Sequence, residues 1–185
     1  MRILLLFIQR YGNPKHTSEE YQQFAEYFRS TLSVTLLGPI MNTLAVRATG
    51  GYLTDDVYRL GISYVSAAVE MSPSYKALRP HLDFILFQVI FPSLCLTPEE
   101  LLLFDEDPQD FVRTVHDPVE DFYDPRVSAC NLLQSLARYR QKDILPRFLP
   151  FIQNILSEYN STSVELRDYN KKEGVLVAIG CVVKV

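Results

Sequence analysis

Asp124-Pro125-Arg-Val-Ser-Ala-Cys130-Asn-Leu-Leu-Gln-Ser135-Leu-Ala-Arg138, then Asp143-Ile-Leu-Pro-Arg-Phe-Leu-Pro150-Phe-Ile-Gln-Asn-Ile155-Leu-Ser-Glu-Tyr159, decides the fold class of this 185-residue chain. Asp124 before Pro125 is a helix start, because the carboxylate can take an orphan N–H and proline suits the first helical position. Ala129, Cys130, Leu133, Leu136 and Ala137 then recur at helical spacing, with Ser128, Asn131, Ser135 and Arg138 as a polar stripe that reads most simply as a solvated face. After Asp143 the residues Ile144, Leu145, Phe148, Leu149, Ile152, Ile155, Leu156 and Tyr159 form a second broad apolar face. Pro146 suits a first turn, whereas Pro150 predicts a kink, since its ring displaces the turn before it and removes a hydrogen bond. Two amphipathic helices with a polar joint make a helical pair.

The same grammar extends in both directions. Residues 1–11 read as a helix whose upstream part is missing, ending at Gly12 with Pro14 beyond. Its apolar run is shorter than a signal peptide's core of about 7–15 residues. Thr17-Ser-Glu-Glu20 has capping-box spacing ahead of Tyr21, Phe24, Ala25, Phe28 and Leu32. Thr54 with Asp55 and Asp56 opens a helix whose stripe is Val57, Leu60, Tyr64, Val65, Ala68 and Met71. Pro80 starts a third rod, apolar nearly all round from Leu82 to Ile90. A strand over 84–91 competes with a helix there; length and neighbours favour the helix. Residues 160–169 read as a polar linker, and Lys171–Gly180 opens a last apolar segment. No stretch reaches the roughly 18 apolar residues of a membrane span, so no membrane insertion is expected. Pairs of about 40 residues match the period of HEAT-type repeats, although periodicity alone leaves an irregular helical bundle equally open.

Composition agrees with a folded domain: 48% hydrophobic, seven glycines, 22 phenylalanines and tyrosines together. Cys95, Cys130 and Cys181 sit singly in apolar runs and read as buried thiols of a reducing compartment. His16, His81 and His116 have no metal spacing. No Gly-rich phosphate loop, nucleophile elbow or Cys/His pair occurs, so neither catalysis nor a cofactor is expected. The formal charge of −4 and a pI near 5.4 disfavour direct nucleic-acid binding.

That charge is unevenly spread. Ten carboxylates and one arginine, Arg113, lie between Glu99 and Asp124, so the remaining chain is net positive. Asp107 and Asp124 precede prolines and read as helix caps. Glu99, Glu100, Asp105, Glu106, Asp110, Glu120 and Asp121 are the candidate docking surface for a basic partner, with a solvated connecting loop as the plain alternative. The order and turn glycine of a calcium loop are missing. Arg138, Arg140, Lys142 and Arg147 form a basic patch that pairs most simply with neighbouring acids.

Phe91-Pro-Ser-Leu-Cys95, Glu100, Phe104-Asp-Glu-Asp-Pro108, Asp110-Phe-Val-Arg113, Glu120-Asp-Phe122 and Pro125-Arg126 together resemble the middle of an importin-β-type nuclear transport receptor (karyopherin), nearest the importin seven and importin eight branch. Arg10-Tyr-Gly12, Glu20-Tyr21, Phe24-Ala25, Lys171-Lys-Glu-Gly174 and Ala178-Ile-Gly180 extend the match along nearly the whole chain. Phe104 stands where the family commonly has tryptophan. The resemblance implies an all-α, right-handed solenoid of about four HEAT/ARM-like repeats. Residues 1–185 would then be one segment, truncated at both ends, with an acidic insertion at 99–124. It implies reversible binding of protein cargo, nuclear pore proteins and the small GTPase Ran in its GTP form, in a receptor shuttling between cytoplasm and nucleus. An export receptor of the same superfamily, or a HEAT scaffold of a vesicle-coat or phosphatase complex, are the alternatives.

Overall fold

The computed structural model describes residues 1–14, 17–115 and 124–183, and among these all regular structure is helical. Three helical pairs follow one another, with the first helix of a fourth. The first pair is α1 (Arg2–Tyr11) and a rod made of α2 (Gln22–Tyr27), a π-helical turn at Phe28–Leu32 and α3 (Ser33–Ala48). The second is α4 (Asp55–Glu70) with a rod over residues 72–94. That rod runs through α5 (Ser72–Leu78), a 3-10 turn (Arg79–His81), α6 (Leu82–Phe84), a π-helical turn (Ile85–Ile90) and α7 (Phe91–Leu94). Two short helices, α8 (Pro98–Glu106) and α9 (Pro108–Val115), come next. The two limbs of α10 (Pro125–Ser161) are the third pair, and α11 (Tyr169–Val183) opens the fourth.

Stacking places the helices in two layers. α4 packs on α1 and on α10, and α10 on α11, while α3 packs on α5 and the rod at 85–90 on α10. Successive pairs pack side by side, the arrangement of a solenoid, and α11 also reaches back to α7 of the second pair. α4 is covered on most sides, with Ile62, Tyr64, Val65, Ala68 and Val69 essentially inaccessible. Burying such a leucine- or valine-sized side chain is worth about 1.5–3 kcal/mol each, so the central pair carries much of the stability.

Polar contacts pin the register of both layers. Ser63 meets Ser128 at 3.3 Å and Ser66 meets Ser135 at 3.0 Å, which joins α4 to the first limb of α10. Two members of the stripe expected to face solvent thus lie between helices; small hydroxyl residues permit close approach while satisfying each other. Ser33 and Ser74 share a buried 2.8 Å bond between α3 and α5. In the second layer Arg147 meets Asp83 at 2.5 Å, and Asp143 receives Tyr75 Oη–H at 2.6 Å and Arg79 at 3.1 Å. The Tyr75 bond, supported by Arg79 against a burial effect that opposes it, holds Asp143 below the ordinary carboxylate range. Burial, then the same bond, pushes Tyr75 up to about 12.

Several local expectations are corrected. Glu20 does not close a box with Thr17; the N-cap there is Ser18, without a side-chain cap bond. Thr17 Oγ1 instead donates to the carbonyls of Asn13 and Arg10, finishing α1. Thr54 occupies the N-cap of α4, yet its side chain makes no cap bond. The third rod begins at Ser72 with Pro73 in its first turn, not at Pro80, and residues 84–91 are helical throughout. α10 breaks at Arg140 (φ −134°, ψ 27°), whereas Pro150 lies in unbroken helix. Pro146 and Pro150 are on its exposed side, where water takes the carbonyls they release. At the break, Arg140 donates to Val69 O (3.0 Å) and Glu70 O (3.3 Å), orphan carbonyls ending α4, with its guanidinium 4.2 Å from the Tyr75 ring centroid. The last helix starts at Tyr169, where the expected polar linker ends.

Contrary to the expectation from the sequence, the stretch Ser72–Glu106 is long and apolar enough, by length and composition alone, to cross a membrane. Its Leu78, Leu82, Ile85, Leu86, Val89 and Ile90 nevertheless fill the core between layers. The cysteines are thiols, Cys181 buried and Cys95 and Cys130 half-buried. The bond with Cys181, then burial, raises Cys130, and burial first raises Cys95 to about 11.

Two stability outcomes are expected. Tyr75→Phe should cost about 1–2 kcal/mol at neutral pH in urea unfolding, the worth of a charge-assisted bond. Because Asp143 is depressed when folded, this difference is fully present above the unfolded carboxylate value. It shrinks as pH falls through the lowered folded value. Gly174→Ala should also destabilise, by about 1 kcal/mol or more, although alanine is the better helix former. A Cβ there would lie 2.6 Å from Cys95 Sγ, so adding Cys95→Ala should recover part of the loss.

Candidate partner-binding surface

The acidic region is a helical hairpin over its described part, not an irregular loop. Thr97, extended at φ −73° and ψ 162°, caps α8: its Oγ1 accepts from Glu100 N (3.2 Å), and Glu100 Oε2 accepts from Thr97 N (2.6 Å). The capping box read at residues 17–20 is formed here instead. Pro98 takes the first helical position and Glu99 and Glu100 the first turn, where negative charge suits the helix dipole. Asp107 then accepts from Gln109 N (3.1 Å) and Asp110 N (3.0 Å), starting α9 as its position before Pro108 predicted.

The two helices pack mainly on each other. Phe104 and Phe111 meet edge-on with centroids 5.3 Å apart. Leu102, Phe104 and Val112 are each at least half exposed, so the hairpin stands out from the stack and is not folded into it. Among the described residues one ion pair ties it down: Glu100 Oε2 receives Arg126 Nη2 at 2.7 Å, with both side chains largely covered. The same Arg126 nitrogen donates to Cys95 O at 3.2 Å, and Asp124 Oδ1 caps Arg126 N at 2.7 Å.

The candidate residues therefore divide. Glu99, Asp105 and Glu106 are exposed; Asp110 is half-exposed and 3.8 Å from Arg113. They are spread along the two-helix arm, Glu99 in the first turn of α8, Asp105 and Glu106 at its end and Asp110 in the first turn of α9. Glu100 is committed internally, to its cap and to Arg126. Glu120 and Asp121 lie outside the described residues, as do His16 and His116. The basic patch does not answer these acids: Arg147 pairs with Asp83 and Arg140 with backbone. Among the described residues no group of three or more His, Cys, Asp or Glu is placed to hold a metal. What sequence reasoning missed is Arg126 and Asn170. Asn170 grips Leu96 on both sides, accepting from its N–H at 2.7 Å and donating to its carbonyl at 3.0 Å. No local pattern marks a bond spanning 74 residues.

A concavity of about 780 Å³ opens between the C-terminal ends of α1 and α4, lined by Gln9, Glu26, Arg29, Glu70, Met71 and Tyr139 among others. Arg29 is held there by Tyr11 O at 3.2 Å.

Comparison with known proteins gives one consistent answer. Residues 60–181 match the family described as Cse1. An importin beta-like SAD2 homolog of Arabidopsis thaliana is 34% identical over 96% of this chain, and importin-8 of Homo sapiens is 30% identical over all 185 residues of this chain. A probable importin-7 homolog of Dictyostelium discoideum is 29% identical over 64% of it. The chain spans only 17% of the length of the first two. No solved structure matches.

Asp107→Ala should fray α9 by removing its cap, a loss of about 1 kcal/mol. Faster amide exchange at Gln109 and Asp110, with an unchanged global midpoint, is the outcome that checks it.

Proposed function

The chain belongs to the importin-β-like Cse1 family, and on that premise we propose that it is part of the HEAT stack of a nuclear import receptor that carries protein cargo through the pore. In this reading the solenoid binds cargo reversibly, exchanges it under the control of Ran in its GTP form, meets nuclear pore proteins on the way and shuttles between cytoplasm and nucleus. The role needs binding and release, not bond chemistry. The observation that carries it is the family match running through both layers and across the acidic hairpin.

The hairpin is the proposed docking element. Its exposed Glu99, Asp105, Glu106 and Asp110 stand in solvent on a helical scaffold, so their field extends over the roughly 8–10 Å that salt screening allows. A surface of that kind speeds encounter with Lys- and Arg-rich partners and repels acidic ones. The relatives bearing importin names support this reading over a vesicle-coat or phosphatase scaffold.

The test has two arms, on the full-length receptor. Capture by Ran should differ strongly between its GTP and GDP forms; equal capture argues against a transport receptor. Combined Asp105→Lys, Glu106→Lys and Asp110→Lys, with Asp107 kept as the cap, should weaken a basic cargo by about ten- to hundredfold at low salt. Unchanged affinity would remove the hairpin from the binding surface.

A further inference from the structure

We infer that Asn170 and Arg126 are positioning residues that mount the acidic hairpin across three successive helical pairs, so that its direction is coupled to the stacking of those pairs. The inference deepens the docking role proposed above and rests on it for its functional meaning, though not for its structural content.

The hairpin departs from the second pair through three residues, Cys95 to Thr97, whose first and last members are extended (ψ 158° and 162°). Such a joint has no ladder of its own, and left alone it would swivel. Three of its backbone groups are instead taken by elements from further along the chain. Cys95 O accepts from Arg126 of the third pair. Leu96 N and Leu96 O are both held by the Asn170 amide at the start of α11, in the fourth. Thr97 N goes to Glu100, which is itself bound to Arg126. Gly174, one turn past Asn170, lets α11 approach this joint, since a Cβ there would meet Cys95 Sγ.

A mechanical consequence follows. A two-bond amide clamp fixes orientation as well as distance, and an arginine bonded to both the joint and the first turn of α8 fixes the hairpin's tilt. If the third and fourth pairs shift relative to the second, Arg126 and Asn170 move with them and turn the arm. By linkage, a partner that holds the arm in one direction favours the stacking that gives that direction.

Amide hydrogen exchange on the intact chain tests this, with Asn170→Ala, Asn170→Asp and Arg126→Met. Asn170→Asp keeps the acceptor for Leu96 N and loses the donor to Leu96 O. Exchange over residues 98–113 should rise about tenfold in Asn170→Ala, by less in Asn170→Asp, with α4 unchanged. Arg126→Met should act on the same amides. Rates over 98–113 equal to wild type in all three variants would overturn the inference, as would a uniform rise over every helix, which signals general loosening. As a second readout, a nona-arginine peptide should bind Asn170→Ala several-fold more weakly although no hairpin charge has changed; unaltered affinity alongside faster exchange would sever the mount from docking. A wild-type chain that ignores the peptide would sink the docking role alone, with the mount still judged by exchange.

Discussion

Arg140 is where the two layers of this molecule are tied. Its guanidinium closes the C-terminus of α4, lies against the ring of Tyr75 and sits at the break that turns one long helix into the third pair. Backbone carbonyls at a helix end attract cations through both the orphan groups and the dipole. Satisfying them from the next pair converts a local need into a fixed distance between neighbours. Asp143, three residues on, does the same for the second layer by taking Tyr75 and Arg79. The ties lie within a few residues of one corner, so the angle between the limbs and the spacing of successive pairs are set together.

Both layers use small hydroxyls, Ser63 with Ser128 and Ser66 with Ser135 in the first and Ser33 with Ser74 in the second. Both also use ions, Arg2 with Asp56 in the first and Arg147 with Asp83 and Arg79 with Asp143 in the second. The two devices differ physically. Hydroxyl pairs tolerate closely packed helices, whereas long charged side chains at half-exposed positions reach across and yield to small changes of angle. Exposed ion pairs of this kind contribute little each, about 0–1 kcal/mol. They can thus guide the curvature of a stack without locking it.

The acidic hairpin stands outside that scheme. Among the described residues its helices rest on their own caps and the contact of Phe104 with Phe111, and its carboxylates other than Glu100 face solvent. What connects it to the stack is a short joint held by groups distant in the chain. A joint held in this way limits the directions in which the exposed carboxylates can point, whereas a swivelling arm would spread their field over many.

The helical periodicity, the caps at Asp107 and Asp124, the acidic concentration and the family resemblance were all legible in the residues themselves, since each depends on neighbours three or four positions apart or on composition. Tertiary structure decided what lies beyond that range. Thr17–Glu20 and Thr97–Glu100 have the same spacing, and only the second closes a box, because Thr17 is drawn back to the carbonyls ending α1. Pro150 looked like the kink, but the break fell at Arg140, where bonds to another helix outweigh the cost of leaving the helical basin. Ser128 and Ser135 read as solvated until α4 was seen against them. Local sequence dictates which groups a segment must satisfy; the partner that satisfies them is chosen by whatever the fold brings within reach.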